Sequence, residues 1–210
     1  MKRISLYSCV LAGLLLLTAF SATAQPRAVL MGDSITELWA QRHPDFFTDN
    51  DFVGCGISGQ VSGQMLLRFQ KDVVDRHPAV AVINAGTNDI AENQGAYDED
   101  HTFGNIVAMA EMAKANGIRP VLSSVLPASG FRWRPSVTDA PDKIAALNAR
   151  ILVYALENDI PYINYYAAMV ERGRILDPAY TYDGVHPTPE GFSVMEPLLL
   201  KAVETALASE

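Results

Sequence analysis

The chain of 210 residues predicts an α/β fold: a three-layer α/β/α sandwich whose sheet has about five parallel strands. Three observations lead there. Short apolar runs recur and alternate with longer segments whose apolar residues fall three and four apart, the period of a half-buried helix. The run at 79–83 is almost wholly apolar, as suits a strand covered on both faces. Several runs open into polar, glycine-containing loops, and ligands of such folds sit outside the carboxyl ends of the strands.

The elements follow in order. Residues 28–31 are a short buried strand that runs into Gly32-Asp33-Ser34, and residues 35–41 begin a helix that His43-Pro44 interrupts. Residues 51–53 make a weaker second strand before Gly54-Cys55-Gly56-Ile57-Ser58-Gly59, read as a turn-rich loop. Val61, Met65, Phe69 and Val73 lie four apart, with Leu66 beside them, and give one apolar helix face that ends at His77-Pro78. The third strand, 79–83, leads to the polar loop Asn84-Ala85-Gly86-Thr87-Asn88-Asp89. A helix over 97–116 carries Phe103, Ile106, Val107 and Ala110 inward, with Gly117 as its C-terminal cap. The fourth strand spans 118–125, and 127–135 is a loop rich in arginine and aromatics. A helix over 140–158 uses Ile144, Leu147, Ile151 and Tyr154, and 161–163 is the fifth strand. An irregular segment reaches Asp183-Gly184-Val185-His186-Pro187, and the last helix starts with Pro189 in its first turn.

Two domains of use are expected: a signal peptide over 1–24 and one catalytic domain over 25–210. Lys2 and Arg3 are the positive start, 10–20 the apolar stretch, and Ala22-Thr23-Ala24 the small-residue cleavage signal before Gln25. The expected location is the periplasm or the cell exterior, with no integral membrane association after cleavage. The formal charge of the chain is −8; cleavage removes Lys2 and Arg3 and no acid, which leaves −10. So acidic a protein has no footprint for nucleic acid or for an anionic membrane surface. Of two cysteines only Cys55 survives cleavage, so no intrachain disulfide can form. The acidic group Asp98-Glu99-Asp100 before His101 is a solvated first helical turn, favoured by the helix dipole; the usual metal-ligand spacing is missing.

Acyl transfer by serine needs a hydroxyl, a base, a group that orients the base, and donors for the oxyanion. Ser34 offers the hydroxyl at a strand end. His43 and His77 each precede a proline and are read as surface or turn residues. His186 differs, because Asp183 stands three residues before it and Gly184 allows a tight turn between them. The Ser34 and Gly59 backbone N–H groups and the Asn88 side-chain amide are candidate oxyanion donors.

Taken together, Gly32-Asp33-Ser34-Ile35, Gly56-Ile57-Ser58-Gly59-Gln60, Gly86-Thr87-Asn88-Asp89 and Asp183-Gly184-Val185-His186-Pro187 resemble, in order and spacing, the four blocks of the SGNH (GDSL) hydrolases. The resemblance implies a flavodoxin-like sandwich and assigns Ser34 as nucleophile, His186 as base and Asp183 as its orienting group. It implies Ser34, Gly59 and Asn88 as the oxyanion hole, and neither metal nor organic cofactor. The form of the blocks is most similar to platelet-activating-factor acetylhydrolase-like and bacterial carbohydrate acetylesterase proteins. One departure is Gly54-Cys55, where many relatives have Asn-Arg; it bears on loop packing and leaves the donors intact.

The substrate is less legible. Trp39, five residues after Ser34, is either core or a flank of the acyl or alcohol site. Arg132, Trp133 and Arg134, in the loop after the fourth strand, are candidate rim contacts for a sugar ring or an anionic group, or are packed and solvated within their own loop. The expectation is a short acyl group, foremost acetyl, on a glycan or a small polar alcohol. Lysophospholipid or thioester hydrolysis is the alternative, and a catalytically silent glycan-binding protein is the alternative of another class.

Overall fold

In a computed structural model of the protein, residues 25–208 are described; the expected signal peptide lies outside the described residues. Five parallel strands form one sheet in the order β2-β1-β3-β4-β5, with β1 Ala28–Gly32, β2 Phe52–Gly56, β3 Val80–Ile83, β4 Arg119–Ser123 and β5 Tyr162–Ile163. The alternation of the apolar strands shows in how the core divides. In β1 and β3, Val29, Met31, Ala81 and Ile83 face one apolar cluster, and Ala28, Leu30, Val80 and Val82 face the other. Helices α3 (Ser62–Asp72), α5 (Glu99–Ala115) and α6 (Ala140–Glu157) cover the first face. Helices α1 (Ser34–Arg42), α2 (Pro44–Asp49), α7 (Tyr165–Met169) and α8 (Pro189–Ala208) cover the second. The remaining short helix, α4, is Thr87–Ile90, and a small hairpin of β6 Val170–Glu171 and β7 Ile175–Leu176 sits in the segment before Asp183. The three-layer sandwich is therefore present, with the strand order of a flavodoxin-like sheet.

Two sequence expectations need correction. Gly54, Cys55 and Gly56 are not loop but the end of β2, paired with Leu30, Met31 and Gly32 of β1. The glycines are there because α1 crosses β2 at close range. A Cβ on Gly54 would lie 2.7 Å from the Ala40 Cβ, and one on Gly56 would lie 2.2 Å from the Glu37 backbone nitrogen. On α5 the buried line is Thr102, Asn105, Ile106, Met109, Ala110 and Ala113, whereas Phe103 and Val107 are only partly buried. Thr102 and Asn105 face inward because they join a buried polar group. Asp89 accepts from the Ser62 N–H and hydroxyl and from the Thr102 hydroxyl, and Asn105 Nδ2 donates to Ser62 Oγ.

Cys55 is buried, its Sγ 3.5 Å from the Asp72 carbonyl, and burial raises its thiol pKa. No helix among the described residues is long and apolar enough to cross a membrane.

Candidate active site

Ser34 is delivered by local chemistry. Strand β1 ends at Gly32, and Asp33 caps α1: its Oδ1 accepts from the Ile35 N–H at 3.0 Å, and its carbonyl accepts from the Glu37 N–H at 3.0 Å. Ser34 is therefore the first residue of α1, half-buried at the carboxyl edge of the sheet, with its Oγ 2.9 Å from His186 Nε2.

The second part is the loop before α8. Asp183 Oδ1 accepts from the backbone N–H of Val185 at 3.0 Å and of His186 at 2.8 Å, while its Oδ2 lies 2.7 Å from His186 Nδ1. Burial opposes the Asp183 charge, but the N–H groups of His186 and Val185 and the His186 ring outweigh it, and its pKa is lowered. An ionised carboxylate only accepts, so His186 Nδ1 carries the proton and Nε2 presents its lone pair to the Ser34 hydroxyl. The turn itself is held by Thr181, whose Oγ1 accepts from the Gly184 N–H at 3.0 Å and donates to the His186 carbonyl at 2.9 Å. Gly184 takes a positive φ of 89°, the conformation its turn requires.

The third part adjoins Asp33, the residue before Ser34. Asn88 lies in the first turn of α4 and is buried; its Nδ2 donates to Asp33 Oδ2 and to the Gln60 carbonyl, each at 3.1 Å. Gly59 sits exposed in the loop after β2 with φ +78°, and nothing lies within 4 Å of where its Cβ would be. That loop is tied to α1 by hydrogen bonds from the Ser58 N–H and hydroxyl to Glu37.

Two residues that carry no motif hold these parts together. Arg68 donates to the carbonyls of Gly32 (2.9 Å) and Cys55 (2.8 Å) and to Gln60 Oε1 (2.6 Å), so one guanidinium pins the ends of β1 and β2 and the loop beyond. Its own position is fixed by Asp72, 2.8 Å away and one helical turn on. Asn93 donates from Nδ2 to Asn88 Oδ1 at 2.8 Å and to the Gly59 carbonyl at 3.4 Å.

The expected substrate contacts divide. Trp133 is 43% exposed, its ring 6.1 Å from the His186 ring, and its Nε1 donates to Asn93 Oδ1 at 2.9 Å. Arg132 is exposed and lines a hollow of about 490 Å³ beside Asp183, together with Phe131, Thr181 and Tyr182. Arg134 is corrected: it is partly buried and donates to the Glu92 carbonyl at 2.9 Å, so it braces its loop against the chain after α4. Trp39 is corrected as well. At 2% exposure it stacks between Phe46 and Phe192, and its Nε1 donates to Glu196 Oε1. Its direction follows from helix geometry: five residues beyond Ser34, Trp39 shares the apolar face of Ile35, which packs beneath the sheet. His43, read as a surface or turn residue, sits in the turn between α1 and α2, and its Nδ1 lies 2.6 Å from Glu196 Oε1.

Among the described residues no group of three or more His, Cys, Asp or Glu is arranged to hold a metal ion. Asp98 instead caps α5 by accepting from the His101 N–H, and Arg150 pairs with Glu99 and Asp100.

What the arrangement can do is move a proton from a serine hydroxyl to an imidazole backed by a carboxylate, beside several hydrogen-bond donors. Comparison with known proteins agrees with that class. Residues 27–194 match the GDSL-like lipase/acylhydrolase family, and the chain belongs to it, a family of carboxylic ester hydrolases. A GDSL-like lipase from Bacteroides thetaiotaomicron is 57% identical, with a TM-score of 0.85 over 88% of this chain and 93% of that one. An acetylxylan esterase from Geobacillus stearothermophilus shares the fold at 18% identity, with a TM-score of 0.68 over 84% of this chain and 93% of that one. An uncharacterized lipoprotein of Bacillus subtilis is 35% identical over 80 residues, which span 37% of this chain and 33% of that protein.

Proposed function

We propose that the protein is an exported serine esterase that removes short acyl groups, foremost acetyl, from a glycan or a small polar alcohol. The observation that carries this reading is the continuous relay from Ser34 Oγ to His186 Nε2 (2.9 Å) and from His186 Nδ1 to Asp183 Oδ2 (2.7 Å). In the proposed reaction the Ser34 oxygen attacks the ester carbonyl carbon and its proton passes to His186 Nε2. Negative charge collects on the carbonyl oxygen, which accepts from the Ser34 and Gly59 N–H groups and from Asn88. The Asn88 hydrogen that now rests on the Gln60 carbonyl is the one a substrate oxygen competes for, since the bond to Asp33 is the more deeply buried of the two. His186 then returns the proton to the departing alkoxide, leaving the acyl group on Ser34. Water, deprotonated by the same imidazole, completes hydrolysis. Asp183 stabilises the imidazolium formed in each half.

The short-acyl preference rests on the walls. Trp133 stands exposed against His186, and the adjoining hollow sets Arg132, Thr181, Tyr182 and Asp183 beside Ile175 and Leu176, a mixed lining whose ring and polar groups can meet a sugar. The structural neighbour from G. stearothermophilus is an acetylxylan esterase, which is in keeping with the proposal.

Turnover of p-nitrophenyl acetate should fall by at least about a thousandfold in Ser34→Ala, since loss of the nucleophile leaves only binding and oxyanion contributions. Equal turnover by wild type and variant would turn the reading toward a silent glycan-binding protein. Acetate esters should be cleaved faster than octanoate esters; the reverse order would favour lipid or thioester acyl groups.

A further inference from the structure

We propose that Asn93, together with the indole N–H of Trp133, forms a hydrogen-bond relay that orients the Asn88 amide so that its N–H side faces the substrate oxygen. The proposal rests on the reading of Asn88 as an oxyanion donor. Asn93 is a positioning residue in it and touches no reacting atom.

The argument is one of hydrogen-bond polarity. An asparagine amide has nearly the same shape when turned over by 180°, but turning it exchanges a donor for an acceptor. With Oδ1 toward the site, Asn88 would repel the oxyanion it should stabilise. Its neighbours must therefore fix its sense. On the nitrogen side, Asp33 Oδ2 and the Gln60 carbonyl both accept. On the oxygen side, the partner is Asn93 Nδ2 at 2.8 Å.

Asn93 could itself turn over, and then its oxygen would meet the oxygen of Asn88. Trp133 prevents this. An indole N–H can only donate, and Trp133 Nε1 donates to Asn93 Oδ1 at 2.9 Å. The sense of the whole chain is thereby set from both ends. It starts at the donor-only indole, passes through Asn93 and Asn88, and terminates at the Asp33 carboxylate. Asn93 Nδ2 also reaches the Gly59 carbonyl at 3.4 Å, so the same side chain bears on both proposed oxyanion donors that lie outside the Ser34 turn. Trp133 is 43% exposed, so the relay begins at the rim, where a substrate ring would meet the indole face.

Asp33 and Gln60 still favour the productive sense when Asn93 is gone. The loss should thus be smaller than the roughly 10²–10³-fold in kcat typical of deleting an oxyanion donor outright. For p-nitrophenyl acetate, Asn93→Ala is expected to lower kcat about 10- to 100-fold and leave KM within about twofold. Trp133→Phe removes the N–H and keeps an aromatic, though smaller, ring; it should lower kcat about threefold to tenfold, and have no further effect in the Asn93→Ala background, because both changes cut one chain.

The decisive variant is Asn93→Asp. It is nearly isosteric and can still accept from Trp133, but it offers Asn88 no donor and attracts the Asn88 nitrogen, which turns the amide over. The relay predicts an Asn93→Asp kcat at or below that of Asn93→Ala. A residue that only fills space predicts the opposite order, because the isostere preserves packing.

Asn93→Asp more active than Asn93→Ala, or additive losses in the double variant with Trp133→Phe, would overturn the relay while Ser34-dependent turnover stands. Turnover that persists in Ser34→Ala would instead overturn the esterase reading and this proposal with it. Trp133 is exposed, so its variant tests the relay even where substitution at Asn93 impairs folding.

Discussion

Asp33 shows how much one side chain near the proposed nucleophile is asked to do. It is fully buried, caps α1, and accepts from Asn88 on its other oxygen. Burial pushes its pKa up from 3.8 to about 6; the Ile35 N–H and the nearby His186 work against that rise, and the Asp89 charge adds to it. The carboxyl thus binds its proton more tightly in the folded chain than in the unfolded one. Folding takes up a proton between about pH 3.8 and 6, and stability falls as pH rises through that window. Above it the full penalty is present, on the order of 3 kcal/mol. Asp33→Asn has no such titration: its oxygen can keep the Ile35 N–H, while its amide nitrogen faces the Asn88 donor and loses that bond. The variant should therefore be weaker relative to wild type at about pH 4.5 than at any higher pH. It should gain on wild type by up to about 2 kcal/mol by pH 7.5, as read from paired denaturant melts. A stability difference that does not move with pH would refute the buried-carboxylate account.

At the level of elements, the site depends on how closely α1 lies across β2. A Cβ on Gly56 would fall 2.2 Å from the Glu37 nitrogen, 2.5 Å from the Asp33 carbonyl oxygen and 2.8 Å from the Thr36 carbonyl carbon. All three are backbone atoms of the turn that presents Ser34, and the first two form its hydrogen bond. Gly56→Ala must displace that turn or the end of β2. We expect a loss of about 1–3 kcal/mol by chemical denaturation, with kcat reduced as well. Gly104→Ala is the matched contrast: it lies inside α5 with nothing near its Cβ position, and should gain about 0.5–1 kcal/mol. An unchanged Gly56→Ala would mean that the contact relaxes freely. The same glycines show where the sequence was ambiguous. A glycine signals either a turn or a close approach, and only the position of α1 decides for Gly54 and Gly56. The four polar blocks were legible as a candidate site because Ser34, Gly59, Asn88, Asp183 and His186 are residue types that acyl transfer by serine uses. Arg68 and Asn93 were not legible, because each acts through partners distant in the chain and neither belongs to a periodic pattern. Thr102 and Asn105 hid the inner face of α5 for the opposite reason: apolar periodicity cannot find a buried line that is partly polar.

For the molecule as a whole, the parallel sheet gathers Ser34, Gly59, Asn88 and the His186 loop at its carboxyl edge, although more than 150 residues separate the first from the last. The opposite edge carries a hollow of about 390 Å³ lined by residues such as Arg119, Asn158 and Pro161, far in the topology from any of these groups. Export would place this body in an oxidising compartment with one thiol and no partner for it in the mature chain. The fold is consistent with that fate. Cys55 is buried against the Asp72 carbonyl, and burial holds its thiol in the protonated, unreactive form. Cleavage before Gln25 would also leave the first contacts of the folded body intact, since the Pro26 carbonyl accepts from Ala79 and the Arg27 N–H donates to Asp51. If the export reading holds, the intact mass of the protein recovered outside the cytoplasm should match residues 25–210 with one reduced thiol. Iodoacetamide should add a single group quickly after unfolding and slowly before it. A retained apolar N-terminus would refute the cleavage site, and rapid alkylation of the native protein would show that Cys55 is not protected as its burial requires.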